Sequence, residues 1–127
     1  MKLTLVDNLP FSQVTVAYRG MATIIDKVLI DTGSATTILA ADRLTAVHIT
    51  PEPNDTLHTI RGVGGTEVVF TRRVDYMQIG ERQVSNLEVE VGGMDYGFEI
   101  NGILGMDFLR QASAIINLQD LSLTFAD

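Results

Sequence analysis

Apolar and polar positions alternate along most of the chain with a two-residue period, the signature of strands with one buried face. Thr4-Leu5-Val6 opens the chain and Pro10 is expected to break it. Gln13 to Tyr18 reads as a strand, Arg19-Gly20-Met21 as a turn, and Ala22 to Ile30 as the returning strand. That strand ends in Val28-Leu29-Ile30, and an apolar triplet bounded by turns fits a strand covered on both faces. Thr37-Ile38-Leu39 is a further short strand, and Ala40 to Leu44 makes a single helical turn. Pro51 and Pro53 put a loop before Leu57 to Arg61, which pairs with Thr66 to Arg72 across the glycine-rich tip Gly62-Val63-Gly64-Gly65. The second of these strands is expected to run on to Ile79, turn at Gly80-Glu81 and return through Val84 to Val91. Gly92 to Gly97 is a loop, and Ile103-Leu104-Gly105 is a second apolar segment closed by glycine. Met106 to Ala112 is the one clear helix, with Asp107 early and Arg110 late as the helix dipole prefers. Ala114 to Leu118 and Leu121 to Phe125 close the chain as a hairpin.

The fold class is therefore all-β with one short C-terminal helix. At 127 residues and 13.9 kDa the chain is expected to form a single domain spanning 1–127. It has no cysteine, which excludes a disulfide framework, a thiolate zinc site and a cysteine nucleophile. Sixteen acidic against nine basic residues give a net charge of −7, which argues against a partner recognised through its phosphates. No apolar run reaches the length of a membrane span, and the first residues lack the apolar stretch of a secretion signal. Neither nucleic acid nor membrane is expected as a partner, and a cytoplasmic location is expected.

The segment with the most chemistry is Val28-Leu29-Ile30-Asp31-Thr32-Gly33-Ser34. A carboxylate directly after a buried strand is costly to desolvate unless neighbours hold it. Gly33 permits close backbone approach, while Thr32 and Ser34 bring hydroxyls. All four residue types also favour ordinary turns, so the tetrapeptide alone is compatible with a plain turn after a strand.

In order along the chain stand the apolar strand into Asp31-Thr32-Gly33-Ser34, the tip Gly62-Val63-Gly64-Gly65, the segment Ile103-Leu104-Gly105, and Met106-Asp107-Phe108-Leu109-Arg110. In that order the chain resembles the retropepsin-like aspartic proteases, the single-lobe relatives of pepsin, from about Val14 to Phe125. It is similar in particular to the retroviral-like protease domain of DNA-damage-inducible ubiquitin-adaptor proteins and to single-domain bacterial retropepsin-like proteins. The resemblance implies a closed acid-protease β-barrel with a flap hairpin, assembled as a C2 homodimer.

It further implies an aspartic endopeptidase acting on polypeptide substrates without a metal or other cofactor. Asp31 is then the catalytic residue, with Thr32, Gly33 and Ser34 supporting its loop. Ala35, Arg61, Gly62, Val63, Gly64, Ile103 and Leu104 would contact substrate from the flap and cleft. Two carboxylates share a proton and a water in such a site, one serving as base while the other polarises the scissile carbonyl. This chain has one Asp-Thr-Gly, so the second aspartate must be Asp31 of another copy, and the homodimer is required for activity. Thr32 is expected to bond to its counterpart. Ser34 is expected to donate to its own Asp31 carboxylate, favouring the ionised form, and activity is expected to be better below neutral pH.

An alternative is a dimeric peptide-binding or scaffold domain of the same fold with little turnover. An intact Asp31-Thr32-Gly33, together with the flap glycines, favours the enzyme, because a pure scaffold has no need of a buried aspartate. Other polar residues read plainly: Asp107 as a helix-start charge, Arg72-Arg73 as a solvated face, and His48 and His58 as surface residues without metal-ligand spacing.

Overall fold

The computed structural model describes residues 1–62, 65–94 and 97–127. The strands are β1 (Thr4–Val6), β2 (Leu9–Tyr18), β3 (Met21–Ile30), β4 (Ile38–Ala40), β5 (Leu57–Gly62), β6 (Gly65–Arg73), β7 (Tyr76–Ile79), β8 (Arg82–Ser85), β9 (Glu88–Gly92), β10 (Gly102–Leu104), β11 (Ala114–Asn117) and β12 (Ser122–Phe125). Among the described residues two short α-helices accompany them, α1 (Ala41–Leu44), continued by a 3₁₀ turn at Thr45–Val47, and α2 (Met106–Gln111). The chain is thus mostly β, with α2 as its C-terminal helix.

Ten strands share one sheet, in the order β5-β6-β9-β4-β10-β3-β2-β7-β8 with β1 beside β2. Among the described residues this order is an open path, so the closed barrel expected from the resemblance does not form in the single chain. The two ends of the path, β5 and β8, do not pair with each other. β11 and β12 form a separate hairpin. The N-terminus lies along β12: Leu3 donates to the Leu121 carbonyl at 2.7 Å and Leu123 to the Met1 carbonyl at 2.9 Å.

Three local departures from the sequence pattern have physical causes. Pro10 does not end a strand but lies inside β2, opposite Leu5 on the short edge strand β1. The β1–β2 turn is Asp7-Asn8, both at positive φ, the two-residue geometry that matches strand twist. The long strand expected to reach Ile79 breaks after Arg73, where Val74 donates to the Leu87 carbonyl and Asp75 to the Ala17 carbonyl. Its return strand breaks at Asn86, at a φ of 57°. The hairpin itself keeps one register across the gap, Arg73 opposite Glu88 and Tyr76 opposite Ser85, while the outer neighbour changes from β5 beside β6 to β2 beside β7.

The main core gathers Val16, Val28, Leu39, Met77, Leu104 and Phe108, all essentially inaccessible to solvent. A second, smaller apolar cluster holds Phe11, Ile38, Val69 and Ile100, with Leu29 and Ile103 half-buried against it. β3 is flanked by β2 on one side and by β10 on the other, in parallel, with Leu29 opposite Ile103 and Ile30 opposite Leu104. Successive side chains of a strand face opposite ways. Val28 and Ile30 therefore enter the main core, while Leu29 enters the smaller cluster. The residue after Ile30 emerges at the end of a strand held on both edges and both faces.

Candidate active site

That residue is Asp31. Its backbone N–H donates to the Leu104 carbonyl at 3.0 Å, continuing the β3–β10 pairing by one step. The chain then turns: Ser34 N–H reaches back to the Asp31 carbonyl at 3.2 Å. Within the turn the Gly33 N–H donates to Asp31 Oδ1 at 2.8 Å. A Cβ on residue 33 would stand 3.1 Å from that same oxygen, so a glycine keeps the approach free of crowding. Ser34 was expected to donate to the carboxylate. Its Oγ donates instead to the Thr36 carbonyl at 2.7 Å, because the turn aims the hydroxyl forward along the loop. The polar support of Asp31 within this chain is thus a backbone amide.

The loop is stapled from below by the segment that begins α2. Met106 N–H donates to the Ser34 carbonyl at 2.8 Å and Asp107 N–H to the Ala35 carbonyl at 3.2 Å. Gly105 sits under the loop, and a Cβ there would collide with the Thr36 carbonyl and stand 2.9 Å from the Ser34 oxygen. No residue but glycine fits without moving the loop.

Asp107 does more than charge a helix start. Its Oδ1 accepts from Thr37 Oγ1 at 2.7 Å and from Phe108 N–H at 2.7 Å, and its Oδ2 accepts from Thr37 N–H at 3.0 Å. Thr37 is fully buried, and its Oγ1 accepts from Gly105 N–H at 3.1 Å. A closed polar network therefore ties the exit of the Asp31 loop to α2. Sequence reasoning gave Thr37 no role beyond its strand and read Asp107 only as a helix-start charge. The available signal was a threonine at the mouth of β4 and an acid two positions after the glycine that closes β10.

A second buried polar residue was also missed. Asn101 is 5% exposed, and its Nδ2 donates to the Asp26 carbonyl and to Asp26 Oδ1 at 3.0 and 2.9 Å. Its backbone joins Lys27 and Ala40, so it locks the entry of β10 between β3 and β4. Nothing in its sequence neighbourhood announces this.

The remaining site residues are distributed as follows. Asp31 and Ser34 are half-buried; Thr32, Gly33 and Ala35 are exposed. Ile103 is half-buried against the smaller cluster, on the same side as Leu29. Leu104 is fully buried and lies beneath the loop. Arg61 and Gly62 lie on β5, where Gly62 pairs with Gly65 across the hairpin. Val63 and Gly64 lie outside the described residues. Among the described residues no three His, Asp or Glu side chains are grouped to hold a metal ion. No described helix is long and apolar enough to cross a membrane.

The arrangement presents one carboxylate, backed by an amide and rigidly seated, on an exposed loop. A carboxylate so placed can take a proton from water, and a second acid group brought alongside could polarise a carbonyl. Residues 14–108 match the aspartyl protease family model. No curated protein matches the chain in sequence. Among solved structures it is similar to a retropepsin-like aspartic protease from Rickettsia conorii, at 17% identity and a TM-score of 0.60, covering 87% of this chain and 78% of that one. It is also similar to the EIAV protease in complex with the inhibitor HBY-793, at 22% identity and a TM-score of 0.63, covering 89% of this chain and 96% of that one. The fold is that of the retropepsins, and the chain belongs to the aspartyl protease family.

Proposed function

We propose that this protein is an aspartic endopeptidase that works as a homodimer on polypeptide substrates. The observation that carries the reading is the seat of Asp31: a half-buried carboxylate at the end of a core strand, held by the Gly33 amide in an exposed loop. Each chain supplies one such carboxylate, so two exposed loops meeting at a twofold axis complete the pair. Thr32, exposed on the same loop, is assigned to bond its counterpart, which its exposure supports.

One Asp31 carboxylate removes a proton from water as that water attacks the scissile carbonyl carbon. The other, protonated, donates to the carbonyl oxygen, giving a neutral diol intermediate. The proton taken from water then passes to the departing nitrogen while the other carboxylate, left ionised, takes back a proton from a diol hydroxyl; the C–N bond breaks, releasing a carboxylic acid and an amine with the shared proton restored. Ile103 and Ala35 are assigned to the cleft wall. Arg61, Gly62, Val63 and Gly64 of the β5–β6 hairpin are assigned to cover the peptide and exclude water.

The test is incubation with a mixed peptide library between pH 4 and pH 7, beside Asp31→Asn. The wild-type chain should cleave, better below neutral pH, and the variant should lose about 10³-fold in rate, the scale of one positioned acid–base group. Peptide binding without cleavage would convert the reading to a scaffold domain, and cleavage that survives in Asp31→Asn would remove Asp31 from the mechanism.

A further inference from the structure

Arg72, read from sequence as part of a solvated face, is mostly covered. Its side chain is 10% exposed, whereas that of its neighbour Arg73 is 61% exposed. The Arg72 Nη2 stands 2.7 Å from Asp55 Oδ2 and donates to the Thr50 carbonyl at 3.2 Å. Its Nη1 stands 3.2 Å from Glu52 Oε1, and the guanidinium lies over the Phe70 ring at 5.3 Å. Asp55 is itself only 14% exposed, and its Oδ2 also accepts from the Glu52 N–H at 2.6 Å. One guanidinium thus gathers a carbonyl and two carboxylates from a loop stiffened by Pro51 and Pro53.

The position of this clamp in the hairpin matters. The β5–β6 ladder begins with Leu57 opposite Phe70. One two-residue step further out, the partners would be Asp55 and Arg72, so the ion pair continues the ladder past its last backbone pairing. It joins the segment entering β5 to the strand leaving the hairpin as β6. Three residues along β6, Val69 packs into the cluster that holds Ile38, with Leu29 and Ile103 against it. A shift at the root of the hairpin is therefore passed to the apolar residues that flank the Asp31 loop.

We propose that Arg72 is a positioning residue for peptide binding: by clamping Thr50, Glu52 and Asp55 it fixes the root of the β5–β6 hairpin, and so the affinity for a polypeptide substrate. The proposal rests on the protease reading and deepens it. Its two acidic partners also have a chemical consequence. Burial pushes the guanidinium down, but hydrogen bonds to Asp55 and Tyr18 and the charges of Asp55 and Glu52 outweigh it, so Arg72 stays charged throughout the working range.

The experiment compares the wild-type chain with Arg72→Met, Arg72→Lys and Asp55→Asn. Steady-state kinetics on a cleaved library peptide and hydrogen exchange at residues 57–59 and 68–73 are measured together. Arg72→Met should raise KM about threefold to tenfold, the worth of one partly covered charge pair, with kcat within about twofold of wild type. Exchange at 57–59 should quicken while that of β3 holds. Arg72→Lys should recover part of the KM. Should Arg72→Met not fold, Asp55→Asn, which keeps the shape of the side chain and loses only its charge, should show the same KM shift.

Unchanged KM in a cleaving enzyme overturns the proposal and leaves the protease reading intact. So does a fall in kcat with uniformly faster exchange and no rescue by lysine, which marks a merely structural arginine. A wild-type chain that cleaves nothing overturns the protease reading, and this proposal with it.

Discussion

A methyl group on Gly105 would point at the backbone of Ser34 and Thr36, with the Thr36 carbonyl carbon only 2.6 Å away. Backbone cannot rotate aside as a side chain can, so the loop that carries Asp31 must move or the helix must. Gly105→Ala should therefore cost about 3 kcal/mol, at the upper end of overpacking penalties, measured by urea denaturation. It should also lower kcat, because the displaced atoms belong to the Asp31 loop. Asp107 offers a cleaner dissection. Both of its oxygens accept, one of them twice. In Asp107→Asn one oxygen becomes an NH₂ that faces a donor, leaving an N–H or the Thr37 hydroxyl unpaired in a buried place. The expected loss is about 2 kcal/mol of stability, with a fall in kcat and little change in KM. A KM effect without a kcat effect would show that the network does not hold the catalytic loop.

The clamp at the root of the β5–β6 hairpin has a pH dependence that belongs to the loop and hairpin as a unit. The Glu52 backbone amide, followed by the Arg72 guanidinium, holds the Asp55 carboxyl below its ordinary value of 3.8, against the opposing pull of burial. A carboxyl depressed in the folded state contributes stability above its unfolded value and loses it as pH falls through the folded one. The clamp is therefore intact across pH 4 to 7 and is released only below 3.8. The groups facing Asp55 are Arg72 from β6 and Glu52 from its own loop, with Tyr18 of β2 bonded to Arg72. NMR signals of the Leu57 amide and the Arg72 side chain should move together with a midpoint below 3.8, and Asp55→Asn should abolish that step.

At this scale much of the fold was open to reading, because periodicity reports which face is buried. It located β3, the β5–β6 hairpin, α2 and the closing hairpin, and Asp31 at the mouth of β3. What it could not report is which strand a given strand pairs with. The breaks at Val74 and Asn86 fall where the outer neighbour changes from β5 to β2, and Pro10 is tolerated through the short edge strand beside it. The same limit hid the side chains that act across elements. Arg72 and Arg73 are adjacent in sequence, yet one turns toward the 50–55 loop and the other toward Glu88. Thr37 and Asp107, seventy positions apart, meet only because β10 slots beside β3 and β4.

For the molecule as a whole, the proposal that each chain supplies one catalytic carboxylate makes activity a property of pairs. Two chains of −7 must approach with a combined charge of −14, which opposes association at long range. Raising ionic strength from 0.01 M to 0.15 M shortens the screening length from about 30 Å to about 8 Å, so the activity–concentration curve should shift to lower protein concentration. Salt would not produce that shift in an enzyme complete within one chain. Mixing makes the test sharper. If both carboxylates are needed, a pair formed from one wild-type chain and one Asp31→Asn chain is inactive. After free exchange, an equal amount of the variant diverts half of the wild-type chains into such mixed pairs. A fixed quantity of wild type should then lose about half of its activity at concentrations where pairing is complete, and more as the variant is raised further. Activity unmoved by excess Asp31→Asn, under conditions where sedimentation shows mixed pairs, would mean that one carboxylate suffices and the shared site does not exist.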